Sequence, residues 1–267
     1  MDNITTTTVL GFSFDTTTTP PPPPTVSAGY SFSFLFERAM TIRANRIAPI
    51  VEAIDAFSKS NANESNAEAE SNSGIHLLLP AETFLKIARG FYPLLDALGV
   101  AFAPAKADVR GNVDRLEKGS EVWNCVDLSE LVLKEKARGE HEGKASLAKG
   151  MLWLKRFLEF VVALVDNLTT SSAQEGDDVG GRAKMETKEA AKQAYEKTLN
   201  PYHGFVSSSA FSVVLSFPPT RVNFIAALGG EEVLEKDGRW MVEHFGPILK
   251  KIDCFLTENG LNDPTKV

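Results

Sequence analysis

The sequence predicts an all-α protein, and three observations carry that prediction. The stretch from Gly150 to Leu168 is apolar almost all the way round a helix. Leu152, Trp153, Leu154, Phe157, Leu158, Phe160, Val161, Val162, Leu164 and Val165 leave only Lys155, Arg156 and Glu159 to interrupt it on one side. Apolar residues recur at three- and four-residue intervals elsewhere, and no segment requires a strand. A helix hydrophobic around nearly its whole circumference belongs inside a domain. This one is too short and too charged to span a bilayer, which needs about 20 mostly apolar residues. It is therefore expected to be the central helix, with the Trp153 indole either packed in the core or flooring a site.

A chain of 267 residues can bury a substantial core, and one domain is expected. A net charge of −7 with no cluster of Lys and Arg argues against a nucleic-acid partner. Two cysteines, Cys125 and Cys254, make no disulfide framework and are expected inside helices. Residues 1–30 lack the basic start and apolar run of a secretory signal, and Asp2 and Asp15 disfavour a transit peptide, so the cytosol is the expected compartment.

In chain order, residues 1–29 form a Thr/Pro-rich tail whose threonine runs and Pro20–Pro24 cannot bury apolar surface, and disorder is expected there. Residues 30–267 form the expected single helical domain. Tyr30 to Phe36 alternate apolar and polar, but the spacing continuing to Phe57 favours a helix. Polar loops are expected near 58–74 and 169–184. A helix follows Pro80, burying Phe84, Leu85, Ile87, Ala88, Phe91, Leu94, Leu95 and Leu98, and stops at Gly99. In Lys106–Lys118 the polar residues Asp108, Asn112 and Arg115 stand at i, i+4 and i+7, so a helix presents them along one face. Asp108 also suits a helix first turn, where the dipole favours an acid. Further helices are expected over 121–137, with Trp123, Val126, Leu128, Leu131 and Val132 in the core, over 188–199, and from Tyr202 to Leu215. The last run from Val222 carries Leu234, Trp240, Met241, Phe245, Ile248, Leu249, Ile252 and Phe255, with a break at Gly246-Pro247.

Three segments in order, PAKADVRGNVDRL, MLWLKR and AYEKTLNPYHGF, resemble the glycolipid transfer protein family from about Leu77 onward. Each motif alone is modest, but the ordered trio is specific. The resemblance implies a two-layer sandwich of about eight helices enclosing a lipid pocket. It also implies a carrier of sphingolipids between membranes rather than an enzyme, with no cofactor or metal. Position by position, Asp108 matches the carboxylate that binds the ceramide amide and sugar hydroxyls, and Asn112 the carboxamide that binds sugar hydroxyls. Arg115 stands where lysine is common. Trp153 matches the indole under the first sugar, and His203 the histidine that bonds the ceramide amide carbonyl. Phe205 replaces a tryptophan found in some relatives and is expected at the membrane surface.

Chemistry independent of the resemblance agrees with these roles. A sugar needs hydrogen-bond acceptors and donors together with an aromatic plate, and a carboxylate, an amide, a cation and an indole supply them. Phosphosphingolipid members carry arginines where this chain has Trp153 and Phe157, and a lysine where it has Asn112. Glycosylceramides are therefore the expected ligands, reached through transient contact with membranes. Ceramide-1-phosphate transfer is the alternative, as is a lipid-sensing helical interaction protein. Asp108 and His203 could serve as an acid/base pair in an enzyme, but no nucleophile motif, metal-ligand spacing or phosphate loop accompanies them.

Overall fold

The computed structural model describes residues 7–9, 12–14, 45–65, 77–143, 145–172 and 184–267. Its helices are α1 (Ala48–Ser65), α2 (Ala81–Gly90), α3 (Tyr92–Ala97), α4 (Ala103–Val122), α5 (Leu128–Ala137) and α6 (Leu147–Ser172). They continue with α7 (Thr187–Thr198), α8 (Phe205–Val214), α9 (Arg221–Leu228), α10 (Glu231–Val233) and α11 (Arg239–Glu258). A π-helical turn, Leu234–Gly238, joins α10 to α11 without a break in the rod. Contacts run from α4 to α6, α6 to α11, α11 to α1, α1 to α2 and α2 back to α4. These helices therefore close a ring around one core, and α7 lies against the outer flank of α6. The all-α expectation holds for this body.

Helix α6 is central, touching α4, α5, α7 and α11. Its first turn is capped from another helix, because Glu135 of α5 accepts bonds from the Leu147 and Ala148 N–H groups (2.7 and 2.8 Å) and from the Ser146 hydroxyl (3.0 Å). That satisfies donors which a helix N-terminus otherwise leaves open. Asp127 serves α5 in the same way, accepting from the Ser129 and Glu130 N–H groups, and it also binds the Leu79 N–H at 2.6 Å. Two glycines lie where α4 and α6 meet. A Cβ on Gly119 would fall 2.5 Å from Leu147 Cδ2, and one on Gly150 would fall 3.4 Å from Arg115 Cδ. A side chain at Gly119 would force Leu147 to move, whereas a Cβ at Gly150 would stand in ordinary contact with Arg115.

The charges on α6 do not mark a solvent face. Lys155 is 2% exposed and Arg156 1%. Lys155 pairs with Glu159 at 3.0 Å and with Asp253 of α11. Arg156 donates to the Asn262 side chain (3.1 Å) and the Asp263 carbonyl (2.6 Å), holding the segment after α11 against α6. Burial is tolerable because these charged heads are bonded. No helix among the described residues is long and apolar enough to cross a membrane.

Several expectations need correction. Within the tail, residues Thr7–Val9 and Phe12–Phe14 pair as a short antiparallel ribbon, in register Thr7 to Phe14 and Val9 to Phe12. Threonine, valine and phenylalanine favour extended backbone, and this outweighs the low complexity locally. The helix expected from Tyr30 and Leu35 lies outside the described residues until Asn45. The loop expected from 58 starts later, since α1 continues to Ser65, where the sequence offers no proline or glycine to stop it. The 169–184 loop is shortened from its start, because α6 runs on to Ser172. Residues 121–137 are not one helix: α4 ends at Val122 and the chain turns through Asn124, at φ 45°, before α5. Val126, expected in the core, is consequently 80% exposed, and Cys125 is buried in this turn rather than within a helix. Pro247 does not break α11, which passes through it.

Candidate functional site

Three elements meet at the site. From α4, Asp108, Asn112 and Arg115 share one face, as their spacing requires. The Asn112 amide donates to Asp108 Oδ2 at 3.2 Å, and Arg115 donates a long bond to the Ser146 carbonyl at 3.4 Å. Asn112 is buried and Asp108 half-buried. Burial pushes the Asp108 carboxyl up to about 7, more than Arg115 and the Asn112 bond pull it down. This carboxylate has more acceptor capacity than the protein fills.

Helix α6 meets that face at Gly150. The space beside its Cα is lined by Arg115 and by Asn112 Oδ1, within 3.6 Å of where a Cβ would sit. One turn on, Trp153 is half-buried and its indole stacks on His203, with centroids 5.9 Å apart and planes 24° from parallel. His203 lies between the 3₁₀ turn Asn200–Tyr202 and the start of α8. It is 4% exposed, and Tyr195 of α7 contacts its Nδ1 at 3.1 Å. Burial and the nearby Arg156 hold the imidazole down to about 4, so it is neutral at physiological pH. The Arg156 guanidinium lies 3.5 Å from the Tyr202 ring centroid and 5.1 Å from that of Trp153. Behind these groups, Phe211 stacks on Tyr195 (4.5 Å) and meets Phe102 and Phe160 edge-on. His203 and Tyr195 thus sit against aromatic rings that belong to the core.

Phe205 is not part of this cluster. It is 88% exposed at the first position of α8, and Val206 and Val213 share its exposed side. Phe217 and Val222, beyond α8, are exposed as well. Val100, also exposed, precedes Phe102, whose ring packs on Phe211 of the same helix.

The structure brings Asn112 and Arg115 to Gly150, joins Asp108 to Asn112, and brings Trp153 to His203. Sequence reasoning missed three contributors. Gly150 was readable only as the start of an apolar run, although a glycine inside a helix signals close packing. Arg156 was read as an interruption, yet it is the cation behind the Trp153 plate. Tyr195 stands eight residues before His203 within the third motif, but only the fold shows that it reaches the imidazole.

With this geometry in hand, comparison with known proteins is informative. The sequence model of the family described as Glycolipid transfer protein (GLTP) matches residues 79–230, more than half the chain and every site residue above. The chain belongs to the glycolipid transfer protein family. Glycolipid transfer protein 1 of Arabidopsis thaliana is 30% identical over 202 residues, covering 75% of this chain and 93% of that protein. A solved structure described as showing how FAPP2 selects simple glycosphingolipids using the GLTP-fold superposes with a TM-score of 0.61 at 25% identity, over 73% of this chain and 93% of that one. A mutant of Arabidopsis ACD11 complexed with C12 ceramide-1-phosphate superposes with a TM-score of 0.66, over 82% of this chain and 99% of that one. At 21% identity that likeness shows the shared fold alone. Solved structures of this fold are thus described with glycosphingolipids and with ceramide-1-phosphate, and the fold alone does not choose between them.

Proposed function

We propose that this protein carries glycosphingolipids, specifically glycosylceramides, between membranes without vesicles. The observation that carries the reading is the meeting at Gly150: α4's carboxamide and guanidinium touch α6 one turn from an indole that is stacked on a neutral histidine. Asp108 and Asn112 offer acceptors and donors to sugar hydroxyls and to the amide N–H. Trp153 offers a plate for the C–H face of the first sugar, and His203 a donor for the amide carbonyl.

Charge supports a sugar over a phosphate. Arg115 is the one cation among the five headgroup residues, and Arg156 is already bonded to the chain after α11. Phe157, buried, occupies the place of an arginine in phosphosphingolipid members. A phosphate needs concentrated positive charge with donors free to fork around it, and this arrangement supplies little of either.

The hydrocarbon chains enter the apolar interior below the site. Drawing the chains through water instead costs about 0.8 kcal/mol per CH₂, which is why such a lipid needs a carrier. In this reading Phe205, Val206 and Val213 rest on a membrane in passing, and the protein works in the cytosol. The test is vesicle-to-vesicle transfer of fluorescent glucosylceramide and ceramide-1-phosphate by the full chain. Faster movement of ceramide-1-phosphate would overturn the sugar assignment, and movement of neither lipid by folded protein would overturn the carrier reading.

A further inference from the structure

We propose that Tyr195 is a positioning residue that fixes the tautomer of His203, so that Nδ1 is the acceptor and the proton sits on Nε2, ready to be given to a ligand's carbonyl oxygen. The proposal rests on the reading of His203 as a headgroup residue and adds how that histidine acquires its polarity. Tyr195 lies on α7 and His203 eight residues on, across the 3₁₀ turn, with the phenol oxygen 3.1 Å from Nδ1.

Two neutral groups facing each other can share a proton in two ways: the phenol donates to Nδ1, or an Nδ1–H donates to the phenol oxygen. Chemistry selects the first. A phenol is the more acidic donor and an imidazole nitrogen the more basic acceptor, with ordinary pKa values of about 10 and 6.5. Burial reinforces this by keeping the phenol protonated and the imidazole uncharged.

The rings are held so that the pairing is maintained. Tyr195 stacks on Phe211, His203 stacks on Trp153, and Phe211 lies 5.8 Å from the imidazole. Among the described residues no group bonds to Nε2, the nitrogen that the proposal leaves as the donor. A histidine of the opposite tautomer would present a lone pair there and repel a carbonyl oxygen.

The test uses ¹⁵N-histidine-labelled full-length protein without lipid, comparing wild type with Tyr195→Phe, which retains the ring on Phe211. Imidazole nitrogen shifts at pH 7 should show His203 as the Nε2–H form in the wild type, and an Nδ1–H population should appear in the variant. Glucosylceramide transfer should fall about three- to tenfold in the variant, the scale of one hydrogen bond, with its melting transition intact. A wild-type His203 carrying its proton on Nδ1 would overturn the proposal, as would an unchanged tautomer in Tyr195→Phe. A shifted tautomer with unchanged transfer would overturn the link to the ligand. If wild-type protein moves no glycolipid, the function proposed above fails, and the nitrogen shifts still decide what Tyr195 does.

Discussion

Lys155 and Arg156 on α6 and Asp108 on α4 are polar groups drawn into the same apolar body, yet they are treated differently. The Lys155 ammonium has two carboxylates, and the Arg156 guanidinium has two oxygens and two aromatic faces; of these groups only Arg156 Nε lacks a partner among the described residues. Asp108 receives a single bond, from Asn112, and burial leaves its carboxyl near 7. The contrast teaches that burial and charge alone do not mark a site: Lys155 and Arg156 are spent on the fold, whereas Asp108 keeps acceptor capacity that a ligand could use.

That contrast can be broken from either side. The largest effect is expected from Trp153→Ala, which removes the plate while leaving α6 capped by Glu135. Glucosylceramide transfer should fall roughly a hundredfold, or about 2–3 kcal/mol, with helical content unchanged by circular dichroism. Lys155→Met should do the reverse. It leaves Asp253 and Glu159 without their cation, costing about 2–3 kcal/mol of stability in urea unfolding, while transfer by the folded fraction stays within about twofold of wild type.

Asp108→Asn should cut transfer about tenfold, since an amide accepts fewer of the hydrogen bonds a sugar and an amide N–H can donate. The same change should stabilise the fold. A carboxyl whose folded pKa is raised from 3.8 to about 7 binds its proton more tightly in the folded state than in the unfolded one. Its contribution therefore worsens as pH rises through that window and is constant above it. Asp108→Asn should match wild-type stability near pH 4 and exceed it by about 1–2 kcal/mol above pH 7. Equal stability at pH 8 would show that Asp108 is already satisfied.

The smallest effect is a pH dependence of binding in the wild type. Hydroxyl and amide donors from the ligand favour the ionised carboxylate, so affinity should rise about two- to fivefold from pH 6 to pH 8. The neutral His203, held near 4, adds no slope in that range. Loss of the slope in Asp108→Asn would assign it.

How much of this was legible in the sequence depends on whether the signal was local. The Asp108, Asn112 and Arg115 face follows from helical spacing within thirteen residues, so its geometry was readable before any fold was known. The apolar character of α6 gave its central place, and Pro80 and Gly99 gave the limits of α2–α3. The remote partners of Lys155 and Arg156, namely Asp253, Asn262 and Asp263, were not legible because they lie about a hundred residues on, and nothing local reveals a charge satisfied at that distance. Tyr195 was silent for the same reason: a phenol in a helix gains meaning only when another element packs against it. Val126 failed for a local reason. A turn at Asn124 interrupts the helical phase, so the periodicity on one side does not carry to the other.

The most direct measurement is competitive transfer of glucosylceramide against ceramide-1-phosphate between neutral vesicles, run with wild-type protein, Trp153→Ala and Asp108→Asn. The account predicts that wild type moves the glycolipid faster and that both substitutions suppress that movement in folded protein. Ceramide-1-phosphate moving faster, or glycolipid transfer indifferent to both substitutions, would contradict it.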